Sequence, residues 1–175
     1  YAHIPGGRSS VSSTSSVLTL CRKLNIPLES ESLSGAREFM IGSCWKEGYN
    51  GTNVKRSGFS NTPYELEPDV DVTRFGLVAC LQADRIGNND QMREFVHKNR
   101  DGLYAYLKAC YQKGGFSKSP NQPANIFCTR AALDILKILQ SYNHGTSNLD
   151  NLNVSPHFHA EVLNFLRERI KSREL

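Results

Sequence analysis

MIGSCWKEGY at residues 40–49 and YLKACYQKGGF at residues 106–116 share one pattern, and this pattern decides the fold. Each stretch reads as the end of a helix that carries a cysteine and is followed by a glycine-aromatic turn. An apolar helix that starts with threonine comes next in both cases, TRFGL at residues 73–77 and TRAAL at residues 129–133. Such units bury their apolar faces only by stacking on one another. We therefore predict an all-α fold of repeated α-hairpins, with SSVL at residues 15–18 in a weaker third copy.

The spacing of the apolar residues gives the expected element order. It predicts six or seven helices: 16–24, 35–45, 72–83, one or two between 92 and 114, 125–140 and 158–170. The Ser- and Thr-rich residues 9–16 predict a loop that caps the first helix. Residues 52–68 and 141–153 predict polar loops. Since no run alternates with period two, we predict no β-strands.

Length, charge and cysteine spacing argue against several classes of protein. The 175 residues suit one domain, and no apolar run approaches the roughly 20 residues that span a bilayer. The net charge of +4 is spread along the chain, which argues against binding to nucleic acid. Five separated cysteines without a C-x-x-C pair favour a reducing, cytoplasmic location over a disulfide framework or a cysteine-based zinc site. His157 and His159 point apart on a helix, so we predict no metal site.

The block from Tyr106 to Leu136 resembles the α/α toroid of protein prenyltransferase beta subunits and terpenoid cyclases, which alternate Gly-Gly-Phe-like turns with Thr-started helices. The resemblance covers about residues 35–140. It implies a toroid-like fold and an isoprenoid-related enzyme module that binds a prenyl diphosphate or a similar lipid. A complete toroid has around a dozen helices, about twice what this chain supplies. The single domain over residues 1–175 is therefore expected to be a partial ring or half barrel, a fragment or subunit whose ring a second chain or copy completes. A shortened relative that curves as an open solenoid is the alternative.

Asp69 and Asp71 form a pair of carboxylates at the start of a predicted helix, where close like charges raise one pKa. With Thr73 they resemble the D-x-D-D-T motif of class II terpenoid cyclases, although Val72 replaces the last Asp. That resemblance implies Asp71 as the catalytic acid, with Asp69 beside it. Read from the residues alone, the same carboxylates serve equally as helix caps.

The substrate contacts are expected among cations and aromatic residues near the turns. Thr73-Arg74-Phe75 resembles a prenyltransferase block whose Arg faces the substrate cavity. Arg74, Arg130 and Lys113 are the expected diphosphate contacts, with Mg²⁺ as the accompanying ion, and Trp45, Tyr49 and Phe116 are expected to line a lipid-sized cavity. The Asp-x-Cys pair with which prenyltransferases bind zinc has no counterpart here.

Two functions from different classes stay open at this stage. One is the isoprenoid-related enzyme, which the paired carboxylates and Arg74 favour. The other is a catalytically silent α/α scaffold that binds a peptide or a partner protein, which the missing zinc ligands and Val72 favour.

Overall fold

The computed structural model describes residues 8–49, 55–141 and 157–172, and most of these residues are helical. The α-helices are α1 (Val11–Lys23), α2 (Ser30–Arg37), α3 (Val70–Gly87), α4 (Gln91–Cys110), α5 (Ile126–Ser141) and α6 (Phe158–Lys171). A π-helical segment, Glu38–Cys44, continues α2. Among the described helices, none is both long enough and apolar enough to cross a membrane.

Short antiparallel strands separate the helices, so the prediction of no β-strands was wrong. Strand β1 (Trp45–Tyr49) pairs with β2 (Lys55–Phe59), and β4 (Gly115–Ser117) pairs with both β3 (Tyr111–Gln112) and β5 (Ala124–Asn125). In β1 and β2, glycines and charged residues replace the apolar residues of a typical half-buried strand. The period-two pattern is therefore missing from the sequence.

Helices α1, α3 and α5 form a row with α3 in the middle, and α3 contacts both neighbours. Helices α1 and α3 start on the same side of the molecule, next to the sheets. The Val11 N–H donates to the Asn61 carbonyl at 2.9 Å, just after β2, and the Val70 N–H donates to the Lys118 carbonyl at 3.0 Å, just after β4. The helices α2, α4 and α6, which we call the flanking helices, lie beside this row. Of these, α2 contacts α3, α4 contacts both α3 and α5, and α6 contacts β4.

The two sheets join their helices through corresponding hydrogen bonds. The Phe59 N–H donates to the Thr73 hydroxyl at 3.0 Å. In the same way, the Phe116 N–H donates to the Thr129 hydroxyl at 2.9 Å. Both phenylalanines and both threonines are fully buried.

The serines that follow these phenylalanines also correspond. The Ser60 hydroxyl donates to the Cys44 carbonyl at 3.2 Å, and the Ser117 hydroxyl donates to the Cys110 carbonyl at 3.1 Å. The two segments that the sequence paired therefore have the same local structure around the cysteine, the phenylalanine and the threonine.

Helix α1 begins at Val11, five residues before the predicted start, so the loop prediction was wrong for residues 11–16. Ser10 is the N-cap, and its hydroxyl accepts the Ser13 N–H at 3.2 Å. The Thr14 hydroxyl donates to the Ser10 carbonyl at 2.8 Å. Hydroxyls bonded within the helix can be buried without loss, and Ser13, Thr14 and Ser15 are all buried.

The other helix predictions fit more closely. Helices are confirmed at 72–83, 125–140 and 158–170, each with small extensions, and α2 with its π-helical extension covers most of 35–45. Between 92 and 114, where one or two helices were predicted, the structure has one helix, α4. It ends at Cys110, just before β3. The loop prediction for 52–68 was wrong for residues 55–59, which form β2. The loop predicted at 141–153 lies, after Ser141, outside the described residues.

Candidate functional site

Asp69, one of the two predicted catalytic carboxylates, is the N-cap of α3. It accepts the N–H groups of Asp71 at 2.8 Å and Val72 at 3.2 Å. It also pairs with the Lys118 amine at 3.2 Å, and this hydrogen-bonded pair raises the pKa of Lys118. The two backbone hydrogen bonds are those of a helix cap, as the capping interpretation predicts, and the ion pair with Lys118 is additional.

Asp71, the predicted catalytic acid, pairs with Arg74 one helical turn later at 2.9 Å. The Arg74 guanidinium also lies over the Phe75 ring, 4.2 Å from its centroid. The Asp71 side chain is 45% exposed. A proton donor to an alkene needs an apolar enclosure that keeps the carboxyl group neutral. The Asp71 carboxylate instead faces water and the Arg74 guanidinium, so this apolar enclosure is missing.

The predicted aromatic contacts do not form one cavity. Phe116 has no exposed surface and packs against Tyr111 and Phe158, with ring centroids 5.1 and 6.3 Å away. In this position it offers no surface to a ligand. The partly buried Trp45 ring packs edge-to-face on Phe59 and Phe95. The Tyr49 backbone lies in β1, and its side chain is outside the described part of the structure.

The predicted diphosphate contacts lie on three different elements. Arg74 is on α3, and Arg130 is exposed on α5. Lys113 occupies the turn between β3 and β4 with a positive φ of 47°. It lines a cavity of about 480 Å³ that contains neither of the two arginines.

The residues present do not fit the zinc site of the prenyltransferases. Within residues 8–49, 55–141 and 157–172, no three His, Cys, Asp or Glu side chains come together as a metal site. All five cysteines are buried. Burial raises the pKa of Cys44 to about 11 and that of Cys110 to about 12, which keeps these thiols protonated at neutral pH.

The sequence interpretation missed an apolar surface on α1, where Leu20 is 54% exposed and Leu24 is 61% exposed. Thr14, Thr73 and Thr129 hold equivalent buried positions in the first turns of α1, α3 and α5. Counted from these threonines, Leu20 corresponds to Ala79 and Ile135, and Leu24 corresponds to Ala83 and Leu139. These four counterparts are at most 3% exposed.

Helix α2 covers this side of α3. A Cβ at Gly87, four residues after Ala83 and on the same face, would lie 3.6 Å from Leu33 of α2. On α3, this side is covered by the flanking helix α2. On α1, the corresponding side is exposed. We call the side formed by Val17, Leu20 and Leu24 the leading edge.

Helix α6 has an uncovered surface of its own. A Cβ at Gly58 would meet Tyr106 of α4, and a Cβ at Gly115 would meet Phe165 of α6, so Tyr106 and Phe165 correspond. Two residues earlier in each helix, Tyr104 is 4% exposed but Leu163 is 52% exposed. Ile170, near the end of α6, is 56% exposed. We call the surface formed by Leu163, Leu166 and Ile170 the trailing edge.

Each edge lacks one kind of neighbour within the described residues. Helix α3 follows and contacts the flanking helix α2, and α5 follows and contacts the flanking helix α4. No described flanking helix precedes α1, and no described row helix follows α6. Among the described residues, α1 therefore lacks a flanking helix beside it, and α6 lacks a row helix. Each edge carries the kind of helix that the other edge lacks.

No family model, no curated protein and no solved structure matches the chain. The resemblance to the α/α toroid enzymes therefore stays a prediction. The function has to be argued from the geometry of the described residues.

Proposed function

We propose that the protein is an α/α-repeat scaffold without catalytic activity, and that it binds a second copy of itself edge to edge. The α6 helix of one copy covers the α1 helix of the other. One observation carries the proposal: Leu20 is 54% exposed, whereas Ala79 and Ile135, at the corresponding positions of α3 and α5, are fully buried.

A second copy fits the leading edge because it supplies the kind of helix that is missing there. Helix α6 corresponds to α4, which packs beside the row helix α5. Its Leu163 and Ile170 are apolar and exposed, and the partly buried Leu166 lies between them and the core. When the trailing edge of one copy meets the leading edge of another, each apolar surface covers the other.

The contact is stable only if the free energy gained by burying apolar side chains exceeds the free energy that association costs. Fully burying an exposed leucine contributes roughly 1.5–3 kcal/mol. Leu20, Leu24, Leu163 and Ile170 are 52–61% exposed, so covering each contributes about half of this. Their sum is comparable with the lower estimates of what association costs in lost rigid-body freedom. Two such contacts in a closed dimer double the buried surface.

Two copies arranged in this way form a closed ring. The contact is heterologous, because two different edges meet, and heterologous contacts either close into rings or extend into filaments. Each copy brings the three row helices α1, α3 and α5. Two copies joined at both edges give six row helices, which supports a toroid-like ring completed by a second chain.

Sedimentation velocity of the purified chain tests the proposal. We expect the wild type to sediment as a dimer, and Leu20→Glu to sediment as a monomer because it places a charge in the covered contact. Leu66→Glu is the matched control, since Leu66 is a 90% exposed leucine outside both edges. A monomeric wild type, or a Leu66→Glu variant that dissociates like Leu20→Glu, would overturn the proposal.

The predicted isoprenoid enzyme is tested on the same protein by calorimetry with farnesyl and geranylgeranyl diphosphate, with and without Zn²⁺ and Mg²⁺. A flat titration from folded protein agrees with a silent scaffold. Saturable binding that Arg74→Gln abolishes would contradict it and would make the enzyme the better description.

A further inference from the structure

A cavity of about 260 Å³ lies between the β1–β2 hairpin and the segments that precede α3 and follow β4. It lies apart from both edges. Its lining includes Lys46, Gly48, Arg56, Pro68, Tyr106 and Pro120.

Strand pairing places two cations on one face of the hairpin. Lys46 is opposite Gly58, and Arg56 is opposite Gly48. Because side chains alternate between the two faces of a strand, these four residues share a face. A Cβ at Gly48 would meet no atom within 4 Å, so the space across from Arg56 is open.

Arg56 has an unsatisfied donor within the described structure. Its Nε is buried and has no hydrogen-bond partner there. Arg56 forms none of the ion pairs found among the described residues. A partly desolvated guanidinium without an acceptor is unfavourable, and an anion in the cavity would relieve this cost.

Lys46 adds a second donor. Its amine donates to the carbonyls of Ser43 and Pro63, both at 3.0 Å, which leaves one of its three N–H bonds. Two acidic residues, Glu47 and Glu67, are also among the lining residues. Glu47 is already held by Lys55 at 2.7 Å and by the Trp45 indole at 3.0 Å. Glu67 is exposed and forms an ion pair with neither cation.

We propose that this cavity binds a small oxyanion, a phosphate or a carboxylate group, between Arg56 and Lys46. Arginine provides planar N–H donors that suit both groups, and lysine adds a point charge. The volume suits an inorganic ion or the charged end of a larger molecule, whose remainder would contact Pro68 and Pro120. This site is independent of the proposed self-association.

Isothermal titration with sodium phosphate, and separately with sodium acetate, tests the site at an ionic strength held constant with sodium chloride. We expect saturable binding of at least one of these ions, and the one that binds identifies the oxyanion. Arg56→Gln should weaken binding at least about tenfold, the loss expected for one hydrogen bond to a charged group. Lys137→Gln is the control, because it removes a positive charge from an exposed position of α5 that does not line the cavity.

A second variant keeps the test decisive if Arg56→Gln fails to fold. Gly48→Val fills the open space across from Arg56 and keeps both cations, so it should also weaken binding at least about tenfold. Circular dichroism checks the fold of each variant. The proposal is wrong if the wild type binds neither ion, or if Arg56→Gln and Gly48→Val bind as tightly as Lys137→Gln.

Discussion

Two threonine hydroxyls of the row helices bind the sheets by hydrogen bonds, since each accepts the N–H of a buried phenylalanine. Thr129→Val keeps the shape of the side chain but leaves the Phe116 N–H without its partner. An unpaired buried N–H costs about 1–3 kcal/mol. We expect the free energy of unfolding in urea to fall by that amount. Thr19→Val is the control at a partly exposed position of α1, and an equal loss there would contradict this role for the hydroxyl.

Asp69 and Asp71 should differ in their effect on stability. Asp69→Ala removes the cap of α3, which costs about 0.5–2 kcal/mol. Asp71→Ala removes a half-exposed ion pair with Arg74, and such pairs contribute about 0–1 kcal/mol. Urea denaturation of both variants measures the difference. A larger loss for Asp71→Ala would show that its carboxylate does more than pair with Arg74.

At the scale of one element, the packing of α3 depends on a glycine. A Cβ at Gly76 would overlap the ring of Phe59, which is fully buried. Gly76→Ala should therefore destabilise the fold by about 1–3 kcal/mol, the usual cost of overpacking. Gly35→Ala in α2 is the matched control. It meets no atom within 4 Å and should stabilise the fold by about 0.5–1 kcal/mol. Changes of the same sign in a urea titration would contradict this account.

The start of α4 depends on a buried carboxylate of α3. Asp84 accepts the N–H groups of Met92 at 3.0 Å and Arg93 at 2.8 Å. Burial raises the pKa of Asp84 above its ordinary 3.8, and these two hydrogen bonds oppose that shift only in part. The folded protein therefore holds this proton more tightly than the unfolded chain does.

The sign of the pH dependence follows from this difference. As pH rises from about 3.8 through the raised pKa, the free energy of unfolding contributed by Asp84 should fall, and above that pKa it should stay level. Asp84→Asn should remove this component from the stability profile, measured by urea titrations at a series of pH values. Asp101→Asn, at an exposed position, is the control. If Asp84→Asn keeps the wild-type slope, the carboxylate does not titrate as described.

The elements show why the sequence predicts part of this structure and not the rest. The apolar spacing of α5 and α6 is strong because these helices bury one side, and both were predicted within a few residues. The first turn of α1 was missed because the hydroxyls of Ser12, Ser13 and Thr14 bond to Ser10 at the helix start, which composition does not reveal. The β1–β2 hairpin was missed because Gly48 and Gly58 stand opposite Arg56 and Lys46. That arrangement forms the cavity but erases the alternating pattern.

The candidate site was harder to predict because exposure depends on neighbours. In the sequence, Leu20 has the spacing of a core residue, as Ile135 has. Only the packing of the described helices shows that Ile135 is covered and Leu20 is not. The predicted cations Arg74, Arg130 and Lys113 lie on separate elements for a related reason. Equivalent residues of successive repeats lie one repeat apart in the structure. Residues near the turns of different repeats therefore need not line the same cavity.

At the scale of the whole molecule, the symmetry of the association can be tested by mixing two variants. Leu20→Glu damages the leading edge and keeps the trailing edge, whereas Leu163→Glu does the reverse. If α6 of one copy covers α1 of the other, each variant alone should be monomeric, and an equimolar mixture should regain one contact and form a heterodimer. Sedimentation velocity, or native mass spectrometry with one variant isotopically labelled, distinguishes these species. A dimer formed by Leu163→Glu alone would instead indicate contact between two leading edges, and a mixture that stays monomeric would exclude the head-to-tail ring.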